Sequence, residues 1–244
     1  MNRLLNSTIS LLIAVTVMGC DPYVPPEATA SAPMQAQTPG QSGSSPFAES
    51  ETEFLVMMVI DLSGSFERQM AEDGKAYEFF LRIYDQYFRN RIGCKDELII
   101  AQLSGTHRSL LWRGSPMELR HKFGSSTEFK EFLMANRDPN GSVIHDGIAH
   151  ALEYITSDPA LASGKAQSAV FVLSDLLDNE ANPNKSGQRV NLALAEYARK
   201  NGIVGLYYVD QELVLPWRQS LQSAGIRNYR VECIIDEDPE LPSF

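Results

Sequence analysis

Phe54-Leu55-Val56-Met57-Met58-Val59-Ile60 runs straight into Asp61-Leu62-Ser63-Gly64-Ser65. The first seven residues are apolar without alternation, the pattern of a strand covered on both faces. The next five place one carboxylate and two hydroxyls in a tight turn at the carboxyl end of that strand. Open α/β sheets bind ligands at such ends. Hard oxygens at this spacing suit a hard cation: Mg²⁺ takes about six oxygens in octahedral array and keeps some of its waters. With no His or Cys in the turn, zinc is disfavoured.

Working outward, Tyr77, Phe80, Leu81, Tyr84 and Phe88 fall at helical spacing and predict an amphipathic helix. Further strands are expected at Glu97–Leu103, Ser109–Trp112, Ala169–Leu173, Ile203–Val209 and Tyr229–Ile235. Helices are expected at Thr127–Ala135, Val143–Thr156, Val190–Lys200 and Leu215–Ala224. Strand and helix in alternation imply an α/β, doubly wound, mostly parallel sheet of six strands with helices on both faces. Only Ser104–Arg108 separate the second and third strands, too few residues for a crossover helix. That pair is therefore expected as a hairpin, with one antiparallel edge strand. The 244 residues are 43% apolar, enough for one full core, assigned to residues 53–238 with a tail at 239–244.

The N-terminus reads as an address. Arg3 precedes the ten-residue apolar run Ile9–Met18, half the length of about 20 needed to span a bilayer. Val17-Met18-Gly19-Cys20 resembles a bacterial lipobox, which implies a signal peptide over residues 1–19 and lipidation of Cys20. Asp21 after that cysteine implies retention at the periplasmic face of the inner membrane. Residues 20–52 carry six of the 13 prolines and few large apolar residues, so they read as a disordered tether.

Asp61, Ser63 and Ser65, followed far along the chain by Ser142 and by Asp175 in Phe171-Val172-Leu173-Ser174-Asp175, resemble the metal-ion-dependent adhesion site of von Willebrand factor A domains. The family pattern is Asp-x-Ser-x-Ser after strand one, a Thr in a later loop and an Asp after strand four. Ser142 stands where the family has Thr, and Leu176 stands where Gly commonly follows the last Asp. The resemblance covers residues 53–238 and implies strand order 3-2-1-4-5-6. It further implies that Ser63 and Ser65 ligate Mg²⁺ (or Mn²⁺ or Ca²⁺) directly, and Ser142 directly or through water. Asp61 and Asp175 would act largely through water. An acidic residue of a partner protein would complete the shell. On this reading the chain is a cell-envelope lipoprotein and not an enzyme. A metal-independent scaffold of the same fold, and a hydrolase or phosphotransferase using the same crevice, are the alternatives.

Lys and Arg number 21 against 31 Asp and Glu, a net charge of −10, which argues against a nucleic-acid binder or a polybasic membrane-surface protein. No nucleophile elbow, phosphate loop or dinucleotide fingerprint is present. A phospho-aspartyl hydrolase needs a second Asp two residues after the first, and Ser63 holds that place. His145 and His150, five apart, do not share a helical face as metal ligands would, and with His107 and His121 they read as surface or loop residues. Asp178, Glu180, Asn182 and Asn184 alternate oxygen side chains but lack the closing Glu and central Gly of a calcium loop. Cys94 and Cys233 are expected on opposite sides of the sheet, too far apart to bridge.

Overall fold

The computed structural model describes residues 52–64, 66, 68–70, 74–88, 95–104, 109–138, 142–177, 183–233 and 240–242. The expectations for the signal peptide, Cys20, the tether, Ser65, Cys94, His107, Asp178, Glu180 and Asn182 lie outside those residues. The described residues all fall in one compact unit, Pro46–Phe244. None of its described helices is long and apolar enough to cross a membrane.

The strands are β1 (Phe54–Ile60), β2 (Glu97–Gln102), β3 (Leu110–Gly114), β4 (Gln167–Leu173), β5 (Ile203–Val209) and β6 (Tyr229–Cys233). They form one sheet in the order β3-β2-β1-β4-β5-β6. Every neighbouring pair is parallel except β2 and β3, the expected hairpin. Around the sheet lie α1 (Lys75–Phe88), α2 (Pro116–Lys122), α3 (Ser126–Ala135), α4 (Ile144–Thr156), α5 (Pro159–Ala162), α6 (Pro183–Arg199) and α7 (Gln211–Ala224). This is a Rossmann-like α/β fold.

All seven residues of β1 are buried, because each face has its own helical layer. Leu55, Met57 and Val59 face Ile148, Leu152, Leu194 and Trp217 on the α4, α6 and α7 side. Val56, Met58 and Ile60 face Tyr77, Phe80, Ile83 and Phe129 on the α1 and α3 side. The alternation breaks at the end of β5. Tyr208 takes φ 65°, and the pairing with β6 shifts register between Leu206 and Val209. The resulting bulge sends the rings of both Tyr207 and Tyr208 to the α1 side. Tyr208 donates to the Lys75 carbonyl at 2.8 Å and lies edge-on to Phe66 at 6.2 Å. It thereby pins the segment that follows the Asp61 turn.

Several elements extend beyond their apolar periodicity. Helix α6 starts at Pro183, seven residues before Val190, because its first turns are polar. Arg189 in those turns reaches α4, pairing with Glu153 at 2.7 Å and Asp146 at 3.2 Å. Helix α7 starts at Gln211 under an Asp210 cap and carries Pro216 inside it. Helix α2 was not expected, although Ser115-Pro116-Met117-Glu118 is a capping box with Pro at the first helical position.

Candidate functional site

β1 and β4 are neighbours whose crossovers run to opposite sides of the sheet, so a crevice opens beyond their carboxyl ends. The ladder runs one residue past each strand. Asp61 N–H donates to the Leu173 carbonyl at 2.9 Å, and Leu103 N–H donates to the Ile60 carbonyl at 2.9 Å. Asp61 therefore sits at the rim of the crevice but is only 1% exposed.

Three donors converge on its carboxylate. Ser63 N–H reaches Oδ1 at 2.9 Å, closing the turn, and Ser142 Oγ reaches the same oxygen at 2.5 Å across 81 residues. Ser174 Oγ donates to Oδ2 at 2.7 Å. Among the described residues, Asp61 has no ion pair.

Asp175 arrives from β4. Its Oδ1 accepts from Leu177 N–H at 3.0 Å, and its carbonyl accepts from Asp210 N–H at 2.9 Å. Ser174 was not anticipated as a member of the site. It is fully buried and links the two carboxylate-bearing segments, accepting from Leu176 N–H at 2.9 Å while donating to Asp61.

The segment that delivers Ser142 is anchored beneath by polar residues the sequence pattern did not single out. Gln102 accepts from Asp138 N–H at 2.8 Å and donates to the Asn136 carbonyl at 3.0 Å. Ser104 Oγ donates to the Asp138 carboxylate, with both residues buried. Beyond Ser142, α4 approaches the end of β2 closely: a Cβ on Gly147 would lie 3.1 Å from Leu103. Nothing in the local hydropathy pattern marks these contacts, because they join residues more than 30 apart.

Leu176 takes φ 59° with its side chain 2% exposed in the α4–α6–α7 core. This left-handed conformation costs a non-Gly residue about 1–2 kcal/mol. Burial of the isobutyl group offsets this. Leu176→Gly is expected to destabilise the domain by about 1–3 kcal/mol in urea unfolding, since a lost buried Leu costs about 2–5 kcal/mol and the relieved strain returns part of it. Unchanged or higher stability would contradict this balance.

His145 does not lie loose on the surface: it sits in the first turn of α4, half-buried, and stacks on Trp217 at 5.6 Å. With Leu176, Leu177, Val190 and Leu213 these two rings line a cavity of about 410 Å³ beside the crevice. His150 is half-buried on α4, and His121 is exposed on α2. Cys233 is half-buried in β6, at the sheet edge. Asn184 lies in the first turn of α6.

The structure thus brings Asp61, Ser63 and Ser142 into one hydrogen-bonded set and joins it through Ser174 to the segment bearing Asp175. These side chains offer carboxylate and hydroxyl oxygens only, a donor set that fits Mg²⁺ or Mn²⁺ and not a soft metal. No protein-family model matches the chain, and no curated protein matches it. Among solved structures, the chain is similar to the crystal structure of the TFIIH p34 N-terminal domain, at 12% identity and a TM-score of 0.48. That match covers 75% of this chain and 91% of the other.

Proposed function

We propose that residues 53–238 form a von Willebrand factor A-type module that binds a partner protein through a divalent cation held at the Asp61 crevice. The observation that carries this reading is the meeting of Asp61, Ser63 and Ser142 at the carboxyl end of β1, next to the β4 segment that bears Asp175. Ser63 and Ser142, with Ser65, would hold the ion through neutral hydroxyls, leaving it electrophilic. The ion supplies an open coordination position for an acidic side chain of the partner. Asp61 and Asp175 supply the negative charge and orient the hydroxyls and waters around it. Cys20 would carry the lipid that fixes the module to the bacterial envelope, on its periplasmic side.

A second reading has its own observation. Ser142 Oγ already donates to Asp61, so the crevice is internally satisfied and serves equally as the brace of a metal-independent interaction scaffold. Calorimetric titration of Mg²⁺ and Mn²⁺ into residues 46–244, beside Ser63→Ala, separates the two. The metal-dependent reading predicts one saturable site, weakened at least about tenfold by loss of a directly ligating hydroxyl, a change of about 1.4 kcal/mol. Absence of binding to the unaltered domain supports the scaffold.

A further inference from the structure

At the opposite end of the sheet, where β4, β5 and β6 begin, lies a cavity of about 610 Å³. Arg199, Lys200 and Arg227 line it together with the amides of Gln167, Asn201 and Asn228, and no carboxylate is among its lining residues. In a chain with 31 acidic and 21 basic residues, this is a local reversal of sign. Lys165 follows Gly164 at the rim and is exposed, as is Arg227. Lys200 is steadied by donating to the Ala162 carbonyl at 3.2 Å, and Arg199 pairs with Glu196 on its outer side. Acidic groups stand at both ends of the sheet: Asp61, Asp175 and Asp210 at the carboxyl ends of strands, and Glu53 and Glu97 at the entry end, where Glu97 is paired with Arg113.

The same end is where the chain enters the domain. Phe54, the first residue of β1, pairs with Gln167, which lines the cavity. Residues 21–53 separate Phe54 from Cys20.

We infer that this cavity is a docking site for the phosphate-bearing headgroups of anionic phospholipid, so that the domain rests on the membrane by the Arg199–Lys200–Arg227 end with the Asp61 crevice facing away. The inference rests on the lipoprotein reading for its orientation. The net negative charge of the chain does not forbid it. The seven residues of β1 span about 23 Å at about 3.3 Å each, well beyond the screening length of about 8 Å at physiological ionic strength. The carboxylates of the far end are therefore screened from the headgroups, which meet Arg199, Lys200 and Arg227 directly. The phosphate oxygens accept from guanidinium, ammonium and amide donors, the pairing Arg favours.

The test is sedimentation of soluble residues 46–244 with vesicles of phosphatidylcholine alone or containing phosphatidylglycerol. The domain carries both helical layers of its core, so it is suited to use without the anchor. Binding is expected only with phosphatidylglycerol, falling about fivefold in Lys200→Ala or Arg227→Ala and about 25-fold in the double variant, with circular dichroism unchanged. No binding to the anionic vesicles, or binding undiminished in the folded double variant, would overturn the proposal. Saturable binding of inorganic phosphate without vesicle binding would also overturn it, in favour of a soluble anion. The anchor is read separately, as a mass increase of the full chain that is lost in Cys20→Ser, so either idea can fail without the other.

Discussion

Replacing Asp61 with alanine is expected to abolish saturable Mg²⁺ binding while leaving a folded domain. The carboxylate is the acceptor for Ser63 N–H, Ser142 Oγ and Ser174 Oγ, and its removal strands three donors where only 1% of the residue meets solvent. A buried donor left without an acceptor costs about 1–3 kcal/mol, although hydroxyls recover part of that by rotating. The net destabilisation is therefore expected to stay within about 1–4 kcal/mol, below the 5–15 kcal/mol that holds a typical domain together. Asp61→Asn keeps one acceptor oxygen and the volume. It should melt closer to the parent and still fail to bind the cation, because the charge is gone. Global unfolding of both variants would instead make Asp61 a structural brace.

The largest loss of stability is expected at Phe171, in the middle of β4. Phe171 is fully buried, stacks on Tyr87 at 5.4 Å and approaches Tyr207 at 6.3 Å. Its ring uses room that Gly205 leaves on the neighbouring strand, where a Cβ would come within 2.7 Å of it. Phe171→Ala should cost about 3–5 kcal/mol in denaturant unfolding, from lost transfer energy and an unfilled cavity. Phe171 lies four residues before Asp175 on the same segment. Mg²⁺ affinity measured well below the melting point should nevertheless stay near that of the parent. A cost under about 1 kcal/mol would mean that the centre of the sheet repacks around the hole.

The fold was legible because β1 carries its signal in seven unbroken apolar residues and because the seven residues between β2 and β3 leave no room for a crossover helix. The strand order came from resemblance, and the structure bears it out. What stayed hidden has a common cause. The polar first turns of α6 and the capped start of α7 have no apolar period to read, so both helices begin earlier than Val190 and Leu215 suggested. The short α5 carries only Asp158-Pro159 as its signal.

The site divides the same way. Asp61 and Ser63 could be named from residue type and position, and Ser142 and Asp175 from the resemblance. Ser174 could not, since a serine at the end of a buried strand is an ordinary residue until its hydroxyl is seen on Asp61. The Gln102–Ser104–Asp138 anchor is likewise a product of tertiary contact. Leu176 shows that a left-handed position need not be marked by glycine: a buried leucine holds φ 59°.

The central claim, that the Asp61 crevice holds a divalent cation, is tested most directly by a crystal structure of residues 46–244 grown with Mn²⁺, read by anomalous scattering. The account predicts one strong peak bounded by the hydroxyls of Ser63 and Ser142, with Asp61 and Asp175 behind them and the Ser142 hydroxyl turned from Asp61 towards the ion. A crevice without a peak at saturating Mn²⁺, with Ser142 still donating to Asp61, would contradict it.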